Sequence, residues 1–235
     1  MSPAPDSGGA AAVQARRIDL TAADGFSLSA WRAEPAGRPR GALIVLQEIF
    51  GVNSHIRQVA DRFAADGYLA IAPAMFDRVQ RALDLGYTPD DVAAGRALIP
   101  QVDWPHALLD IQAAFDHVQH AGRVGAIGYC WGGTAAWMAA CGTPGLAAAV
   151  CYYGRGIVDN VAAQPRCPVQ FHWGETDTTI PLANVQAVTA AHPAAQSFLY
   201  PAGHGFNCDQ RGAFDAAAAA QARARTLAFL GQHLG

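Results

Sequence analysis

Lysine is absent from this chain. All 16 basic side chains among its 235 residues are arginine, and the formal net charge is −3. Without lysine there is no Walker-type phosphate lysine, no Schiff-base lysine and no Ser-Lys catalytic pair. The arginines also form no basic run, whereas a nucleic-acid surface requires clustered positive charge. These absences argue against a P-loop enzyme, a Schiff-base enzyme and a nucleic-acid-binding protein.

Paired cysteines and membrane-spanning segments are also absent from the sequence. The five cysteines form no Cys-x-x-Cys pair, and an odd number at irregular spacing does not resemble a disulfide framework. No apolar run is long enough to span a bilayer. Residues 1–13 have neither the basic segment nor the apolar core of a signal peptide. We therefore expect a cytoplasmic protein with a disordered tail over residues 1–14 and one domain over residues 15–235.

Short apolar runs that alternate with helical patterns are present along the whole chain. This alternation is typical of a mainly parallel sheet of about eight strands, covered by helices on both faces, and it predicts an α/β fold. The first two runs are polar and alternating, which predicts that they form an antiparallel edge. The predicted strands are Arg17–Leu20, Phe26–Ala33, Ala42–Gln47, Leu69–Ala72, Val124–Gly128, Ala147–Tyr153, Val169–Trp173 and Ser197–Tyr200.

Helical periodicity is clearest between the third and fourth predicted strands. Apolar residues recur there at i, i+3, i+4 and i+7 from Ile56 to Phe63, and Asn53 or Ser54 is available as the N-cap. The segment from Asp77 to Val102 is the least regular, so we expect it to be a variable excursion near the functional site. Further helices are predicted at Leu108–Val118, Thr134–Cys141, Leu182–Ala191 and Gly212–Leu230.

The fifth predicted strand ends in a Gly-x-Cys-x-Gly turn centred on Cys130. A strand that turns directly into a helix crowds its own backbone, and glycines at Gly128 and Gly132 relieve that crowding. The thiol then lies at a helix N-terminus, where free N–H groups and the helix dipole favour a thiolate. The pattern predicts a cysteine nucleophile, and the structural alternative is a small buried cysteine.

A base and an orienting carboxylate follow later strands, as a thiol nucleophile requires. Asp177 comes after the seventh predicted strand and His204 after the eighth. The order of nucleophile, acid and histidine is that of the α/β-hydrolase fold, and it predicts a catalytic triad. The alternatives are that Glu175 takes the place of Asp177, that both carboxylates are solvated, and that His204 is a loop histidine bonded to backbone.

The third predicted strand ends directly in Glu48. The α/β-hydrolase fold takes one oxyanion N–H from the loop after this strand, here that of Ile49, and a second from the residue after the nucleophile, here Trp131. Glu48 would then face the thiol and would oppose its ionisation or accept its proton. The alternative for Glu48 is a structural carboxylate paired with arginine.

Four motifs together resemble the dienelactone hydrolase (carboxymethylenebutenolidase) family from about Arg17 to the C-terminus: Gln47–Asn53, Gly128–Gly133, Tyr152–Gly154 and Gly203–Phe206. The resemblance implies a triad of Cys130, His204 and Asp177, with Glu48 as the carboxylate that switches the thiol. It also implies hydrolysis of a small enol-lactone without a cofactor. No metal site is expected, because the pair His117 and His120, at i, i+3 on the second predicted helix, has no third ligand in view.

Two positions differ from the pattern of that family. A serine follows the catalytic histidine in the family, and an arginine four positions after the histidine holds a substrate carboxylate; here those positions are Gly205 and Cys208. Arginines in the irregular segment are candidates for the second arginine of that site, and others could supply charge from elsewhere. The candidates are Arg78, Arg81 and Arg96 within the segment and Arg155 and Arg211 outside it.

Aromatic residues near the same strand ends are candidates for an apolar substrate pocket, or for the core. They include Phe50, Tyr129, Tyr153 and Phe206. The expected partner is a small lactone or ester, and the expected state is a monomer or a small homo-oligomer.

Two other functions are compatible with these residues. One is an esterase or thioesterase with a different acyl substrate, and the other is a non-catalytic protein of the same fold. A dinucleotide binder is disfavoured because no Gly-x-Gly-x-x-Gly follows Val124.

Overall fold

The apolar runs of the sequence form one eight-stranded sheet in a computed structural model that describes residues 13–235. Every predicted strand is confirmed, with ends that differ by a few residues. The strands are β1 Gln14–Thr21, β2 Ser27–Glu34, β3 Ala42–Leu46, β4 Leu69–Pro73, β5 Val124–Tyr129, β6 Ala148–Tyr152, β7 Val169–Gly174 and β8 Gln196–Tyr200.

The sheet is mainly parallel, as predicted. Its strand order is β1-β2-β4-β3-β5-β6-β7-β8. Strands β3 to β8 pair in parallel, whereas β1 pairs with β2 and β2 with β4 in antiparallel fashion. The antiparallel edge expected from the polar alternation of the first two runs is therefore confirmed.

Burial follows the composition of the strands. Every residue of β3, β4, β5, β6 and β7 is buried, and these strands are apolar along nearly their whole length. Strand β1 is mostly exposed, in agreement with its charged residues. The central strands form the core because helices cover both of their faces.

Six α-helices cover the sheet. On one face of the sheet, Asp66 at the end of α1 forms an ion pair of 2.7 Å with Arg223 of α6. On the other face, α3 and α4 contact each other. Asn53 caps α1 by accepting a hydrogen bond from the Ile56 amide. The helices are α1 Ser54–Ala65, α2 Pro89–Leu98, α3 Trp104–Val118, α4 Trp131–Gly142, α5 Leu182–Ala191 and α6 Ala216–His233.

Helix α2 corrects the expectation of an irregular segment from Asp77 to Val102. Thr88 and Asp91 form a reciprocal capping box, and Pro89 occupies the first turn. These residues satisfy the first free amides of the helix and preset its backbone angle. The segment is thus partly helical, and its apolar periodicity is too weak to show this.

The N-terminal prediction lies largely outside the described residues. Of the tail expected over residues 1–14, only Val13 and Gln14 are described, and Gln14 begins β1. Between residues 13 and 235, no helix combines the length and the apolar character that crossing a membrane would require.

The fold places the predicted catalytic residues at one edge of the sheet. Parallel strands bring their carboxyl ends to the same edge, which is where α/β proteins bind ligands. Glu48 follows β3, Cys130 follows β5, Asp177 follows β7 and His204 follows β8.

Candidate active site

Cys130 occupies a strained turn between β5 and α4. Its φ and ψ angles are 55° and −116°, outside the regions that residues with a side chain favour. A Cβ at Gly128 would lie 1.8 Å from the Gly132 carbonyl oxygen, so only glycine fits there. The Cys130 amide donates to the Tyr152 carbonyl at 3.0 Å, which anchors the turn to β6. The turn therefore has the strained form that the sequence predicts.

His204 links Cys130 to Asp177. Its Nε2 lies 3.1 Å from the Cys130 Sγ, and its Nδ1–H donates to Asp177 Oδ2 at 2.7 Å. Asp177 is buried, and its other carboxylate oxygen accepts from both the amide and the hydroxyl of Thr179 at 2.7 Å. The structure thus brings together the thiol, imidazole and carboxylate in the order needed for proton transfer.

The charges around His204 favour its protonated form. Burial by itself lowers the pKa of the imidazole, but the Cys130 sulfur and the Asp177 carboxylate overcome this and raise the pKa to about 10. Burial also opposes ionisation of Asp177, yet hydrogen bonds from His204 and Thr179 hold the pKa of that carboxyl below its ordinary value. An imidazolium next to the sulfur stabilises a thiolate.

Glu48 pairs with Arg211 in this structure. Its Oε1 accepts from Arg211 Nη1 at 2.9 Å, and the residue is only 1% exposed. Among residues 13–235, no hydrogen bond joins Glu48 to Cys130. The guanidinium also lies over the rings of Phe50 and Tyr87, at 5.5 and 5.8 Å. The sequence left two roles open for Glu48: a carboxylate that acts on the thiol, or a structural carboxylate paired with arginine. In this structure Glu48 forms the arginine pair.

A cavity of about 680 Å³ opens above Cys130. Both predicted oxyanion residues, Ile49 and Trp131, line it together with Cys130 and His204. Within the described part of the chain, neither the Ile49 nor the Trp131 amide has a hydrogen-bond acceptor. Two free amides at the N-terminus of a helix and in the facing loop can bind a developing oxyanion.

Three arginines lie in the cavity wall. They are Arg96 on α2, Arg155 at the start of a short 3₁₀ helix, and Arg211. Among the described residues, Asp159 is the only acidic residue that lines this cavity. The apolar part of the wall includes Trp104, whose ring stacks on Trp131 with centroids 5.5 Å apart. The cavity therefore combines positive charge with apolar surface.

The predicted aromatic residues divide into two groups. Phe50 lines the cavity. Tyr129, Tyr153 and Phe206 are buried and do not line it. The Tyr153 ring packs edge-on against His204 with centroids 5.1 Å apart, and Phe206 packs against Tyr153. The Tyr153 ring therefore supports His204, and Phe206 supports Tyr153.

Arg78 and Arg81, expected to bind substrate, lie elsewhere. Arg78 forms ion pairs of 2.8 Å with both Asp24 and Asp110, and Arg81 donates to the Ser27 carbonyl at 2.9 Å. Neither lines the cavity at Cys130. Asp24 and Asp110 hold the Arg78 side chain away from the cavity, which the sequence pattern could not reveal.

Thr179 and Trp104 are among the residues of the site that were not predicted. Thr179 supports Asp177, and its position two residues after an aspartate is a common turn pattern that could have indicated it. Trp104 follows the irregular segment, and no sequence signal places it in the cavity. Arg96, Arg155 and Arg211 were open alternatives, and the structure places all three there.

Comparisons with known proteins agree on one family. The sequence pattern of the dienelactone hydrolase family matches residues 28–234. A protein of Synechocystis sp. described as "putative carboxymethylenebutenolidase" is 37% identical over 218 residues, which cover 84% of this chain and 88% of that protein. The carboxymethylenebutenolidase of Pseudomonas putida is 31% identical over 226 residues, which cover 91% of this chain and 94% of the relative.

A solved structure shows the same similarity. The crystal structure of a "putative dienelactone hydrolase" from Klebsiella pneumoniae superimposes with a TM-score of 0.84 at 31% sequence identity. The match covers 94% of this chain and all of that structure. The α/β-hydrolase fold expected from the order of the predicted triad is confirmed by this likeness.

Proposed function

This chain belongs to the dienelactone hydrolase family and is an ester or lactone hydrolase, and from that premise we propose that it cleaves a small enol-lactone or ester through a thioester on Cys130. His204 is the acid and base of the reaction, and Asp177 orients it. One observation carries the proposal: the His204 imidazole lies 3.1 Å from the thiol sulfur and 2.7 Å from the buried carboxylate.

In the acylation step, the Cys130 thiolate attacks the carbonyl carbon of the substrate. The carbonyl oxygen becomes an oxyanion, which the Ile49 and Trp131 amides stabilise. As the oxyanion collapses, the bond to the leaving oxygen breaks and the His204 imidazolium gives that oxygen its proton. An enol is a good leaving group, which suits a sulfur nucleophile. The products are a thioester on Cys130 and a neutral imidazole.

In the deacylation step, His204 takes a proton from water as the water attacks the thioester. Collapse of this second intermediate releases a carboxylic acid and restores the Cys130 thiolate and the imidazolium. Asp177 stabilises the positive charge at each stage because its carboxylate remains hydrogen-bonded to Nδ1. No cofactor takes part in either step of the proposed reaction.

Arg211 connects substrate charge to Glu48. The guanidinium lies in the cavity wall and also neutralises Glu48. A substrate carboxylate would compete with Glu48 for Arg211, and the freed Glu48 could then accept the proton of the Cys130 thiol, which gives the thiolate that begins the acylation step. The name of the Pseudomonas putida relative describes a lactone that bears a carboxyl group. Such a substrate fits the proposed site, with Arg96 and Arg155 as further partners for its charge.

The cavity also favours a second candidate, an esterase or thioesterase that acts on a larger acyl group. Its volume of about 680 Å³ lies within the range of ~300–1,000 Å³ typical of sites for drug-sized ligands. Trp104, Val92 and Ile99 give it an apolar wall. Relative kcat/KM values on carboxylated enol-lactones and on neutral aryl esters of increasing acyl length distinguish the two candidates.

The nucleophile is tested by trapping the intermediate. Rapid acid quenching during turnover, followed by mass spectrometry, is expected to find the acyl mass on the peptide that contains Cys130. Cys130→Ala should remove both the adduct and the activity, whereas Cys141→Ala, a matched change of a half-buried thiol on α4, should retain both. Turnover by the Cys130→Ala protein, or an adduct on another residue, would refute the proposal.

We further propose that the enzyme acts in a reducing compartment such as the cytoplasm, as a monomer or a small homo-oligomer. A thiolate nucleophile must remain reduced, and the cysteines of the structure are free thiols.

A further inference from the structure

A second group of ligating side chains lies next to Glu48, outside the catalytic triad. Glu48, His55 and Cys208 each offer one ligand atom, and the three atoms lie within 4.8 Å of one another. Their exposures are 1%, 0% and 0%. The residues come from the loop after β3, the start of α1 and the loop after His204. The fold thus brings together oxygen, nitrogen and sulfur ligands in a buried position.

Two of these atoms have no partner. Glu48 Oε2 and His55 Nε2 are both buried, and neither forms a hydrogen bond within residues 13–235. Buried polar atoms in native proteins are almost always paired, so two in one place need an explanation. The other carboxylate oxygen of Glu48 is already bonded to Arg211, and the other ring nitrogen of His55 lies 3.1 Å from Asp209 Oδ1.

The tautomer of His55 turns its unpartnered nitrogen into an acceptor. Arg62 donates to Asp209 Oδ2 at 3.1 Å, and His55 Nδ1 lies 3.1 Å from the other oxygen of the same carboxylate. A carboxylate oxygen accepts hydrogen bonds, so His55 donates Nδ1–H to Asp209. In the neutral imidazole Nε2 then carries a lone pair, and both Nε2 and the unpartnered Glu48 oxygen are acceptors that a cation can bind.

We propose that Glu48, His55 and Cys208 bind one Zn²⁺ ion through Oε2, Nε2 and Sγ. Zinc takes ligands of these three types, and three protein ligands leave a fourth position for water. This inference departs from the expectation, drawn from the sequence, that the chain has no metal site. On binding, a Zn–S bond replaces the S–H bond of Cys208, and the displaced proton goes to solvent.

The surroundings of the group support a metal site. A histidine ligand of zinc commonly donates its other N–H to a carboxylate, as His55 does to Asp209. Zinc bonds of ~2.0–2.3 Å place tetrahedral ligands ~3.5 Å apart, whereas the present atoms lie within 4.8 Å of one another, so the group must contract by about 1.3 Å at most. A cavity of about 250 Å³ lies near the group: Asp209, the partner of His55, lines it, as does Tyr129, whose ring lies 6.4 Å from that of His55.

Zinc at this site would inhibit the enzyme. The ion would hold Glu48 by Oε2 while Arg211 holds Oε1, and the carboxylate could then no longer exchange a proton near Cys130. This effect on turnover rests on the proposed function, whereas metal binding itself does not. The two can therefore fail separately.

Metal binding is tested with Co²⁺, which reports a thiolate ligand by its charge-transfer absorption. The protein used is Cys130→Ala, because Cys130 and His204 form another thiol–imidazole pair. We expect one Co²⁺ per chain, a thiolate band and displacement by Zn²⁺. Cys208→Ala in this background should abolish the band, His55→Gln should weaken binding at least 100-fold, and Asp209→Asn should weaken it about 10–100-fold.

Control variants and a second method make the result decisive. Cys141→Ala in the same background should retain the band. Absence of the band in the Cys130→Ala protein, or its persistence in both Cys208→Ala and His55→Gln, would overturn the metal site. If a variant fails to fold, X-ray absorption of the zinc-loaded Cys130→Ala protein must show one sulfur ligand, and a spectrum without sulfur would refute the site equally well.

Inhibition is measured on the protein with Cys130 intact. Zn²⁺ should lower kcat, and a chelator should restore it. Cys208→Ala should make the enzyme at least 10-fold less sensitive to Zn²⁺. If Cys208→Ala is inhibited as strongly as the parent, the inhibitory ion is bound at Cys130, and the regulatory part of the proposal is wrong even where the cobalt titration shows binding.

Discussion

Two groups of a cysteine, a histidine and an acidic residue lie among the described residues, and they differ in exposure and in pairing. In the proposed triad, Cys130 lines an open cavity and its sulfur contacts the imidazole. In the second group, Cys208 and His55 are fully buried, and the imidazole nitrogen near the thiol has no partner among the described residues. The same three residue types can thus be arranged for catalysis or for ligand binding.

The pKa values show what separates the two groups. Contact with sulfur and carboxylate outweighs burial at His204 and raises its pKa to about 10. At His55 burial dominates and lowers the pKa, although Glu48 and Asp209 oppose this. Burial and the nearby Glu48 charge raise the pKa of the Cys208 thiol to about 12. Position relative to solvent and neighbouring charge therefore decides which thiol is reactive.

The largest test of this difference removes the carboxylate of the triad. Asp177→Asn should lower kcat/KM by about 10⁴-fold, because the amide no longer stabilises the imidazolium or fixes its tautomer. The matched control is Glu175→Gln, which neutralises the exposed carboxylate two residues earlier and should change kcat/KM less than about 2-fold. A large loss of kcat/KM in the Glu175 variant with little loss in the Asp177 variant would show that Glu175, and not Asp177, orients His204.

Selective alkylation compares the two thiols directly. Iodoacetamide at neutral pH should modify Cys130 at least about 10³-fold faster than Cys208, because only Cys130 has both access and an imidazolium partner. Peptide mass spectrometry at timed intervals gives both rates in one sample. Comparable rates would show that burial of Cys208 does not protect it, and would remove the basis for separating the groups.

Arg211 is the side chain that links the cavity to the second group through Glu48. Arg211→Gln should raise KM for a carboxylated lactone about 10–100-fold and change KM for a neutral aryl ester less than about 3-fold. Arg225→Gln, on α6, is the matched control and should affect neither substrate. Equal losses on both substrates would contradict a role for Arg211 in binding substrate charge.

Stability must be followed in that experiment because Arg211 neutralises a buried carboxylate. Removing one partner of a buried ion pair costs about 3–5 kcal/mol. Glu48→Gln combined with Arg211→Gln removes both charges and should recover much of the loss in thermal unfolding. The double variant therefore keeps the substrate comparison interpretable if the single variant is unstable.

The positions of the proposed triad residues were predictable because each has a strong local cause. The turn at Cys130 needs glycine at Gly128, and Asp177 and His204 follow strands whose apolar runs are unambiguous. Contacts made by long side chains were not predictable. Arg78 is held by Asp24 and Asp110, and its neighbours in sequence give no sign of this.

The fold shows the same contrast. Strands of the core were predicted well because burial makes them continuously apolar. Helix α2 was missed because its apolar stripe is weak, although the Thr88 and Asp91 capping pattern was visible in the sequence. The group around His55 and Cys208 joins distant segments of the chain, and only the assembled sheet edge brings them together.

The pH dependence of the reaction sharpens the comparison of the two histidines. Since His204 gives its proton to the leaving group, kcat/KM should fall about tenfold per pH unit above its pKa of about 10. Below that pH the imidazolium is retained and activity does not decline for this reason. His120→Gln, a change at an exposed histidine, should leave this alkaline limb in place. A limb near pH 7 would contradict the charge state inferred for His204.

The smallest expected effect concerns Thr179, which supports Asp177 as Arg62 supports Asp209. Thr179→Val removes a hydroxyl that donates to Asp177 Oδ1 but retains the backbone amide that donates to the same oxygen. A hydrogen bond to a charged group contributes about 1.5–3 kcal/mol, and with the amide still present we expect a loss near the lower limit, about 10-fold in kcat/KM. Thr179→Ser restores a hydroxyl and should recover most of the activity. If Thr179→Ser is as impaired as Thr179→Val, the loss comes from the missing methyl group and not from the hydroxyl hydrogen bond to Asp177. The Asp177 carboxylate is then oriented only by the Thr179 backbone amide and by His204.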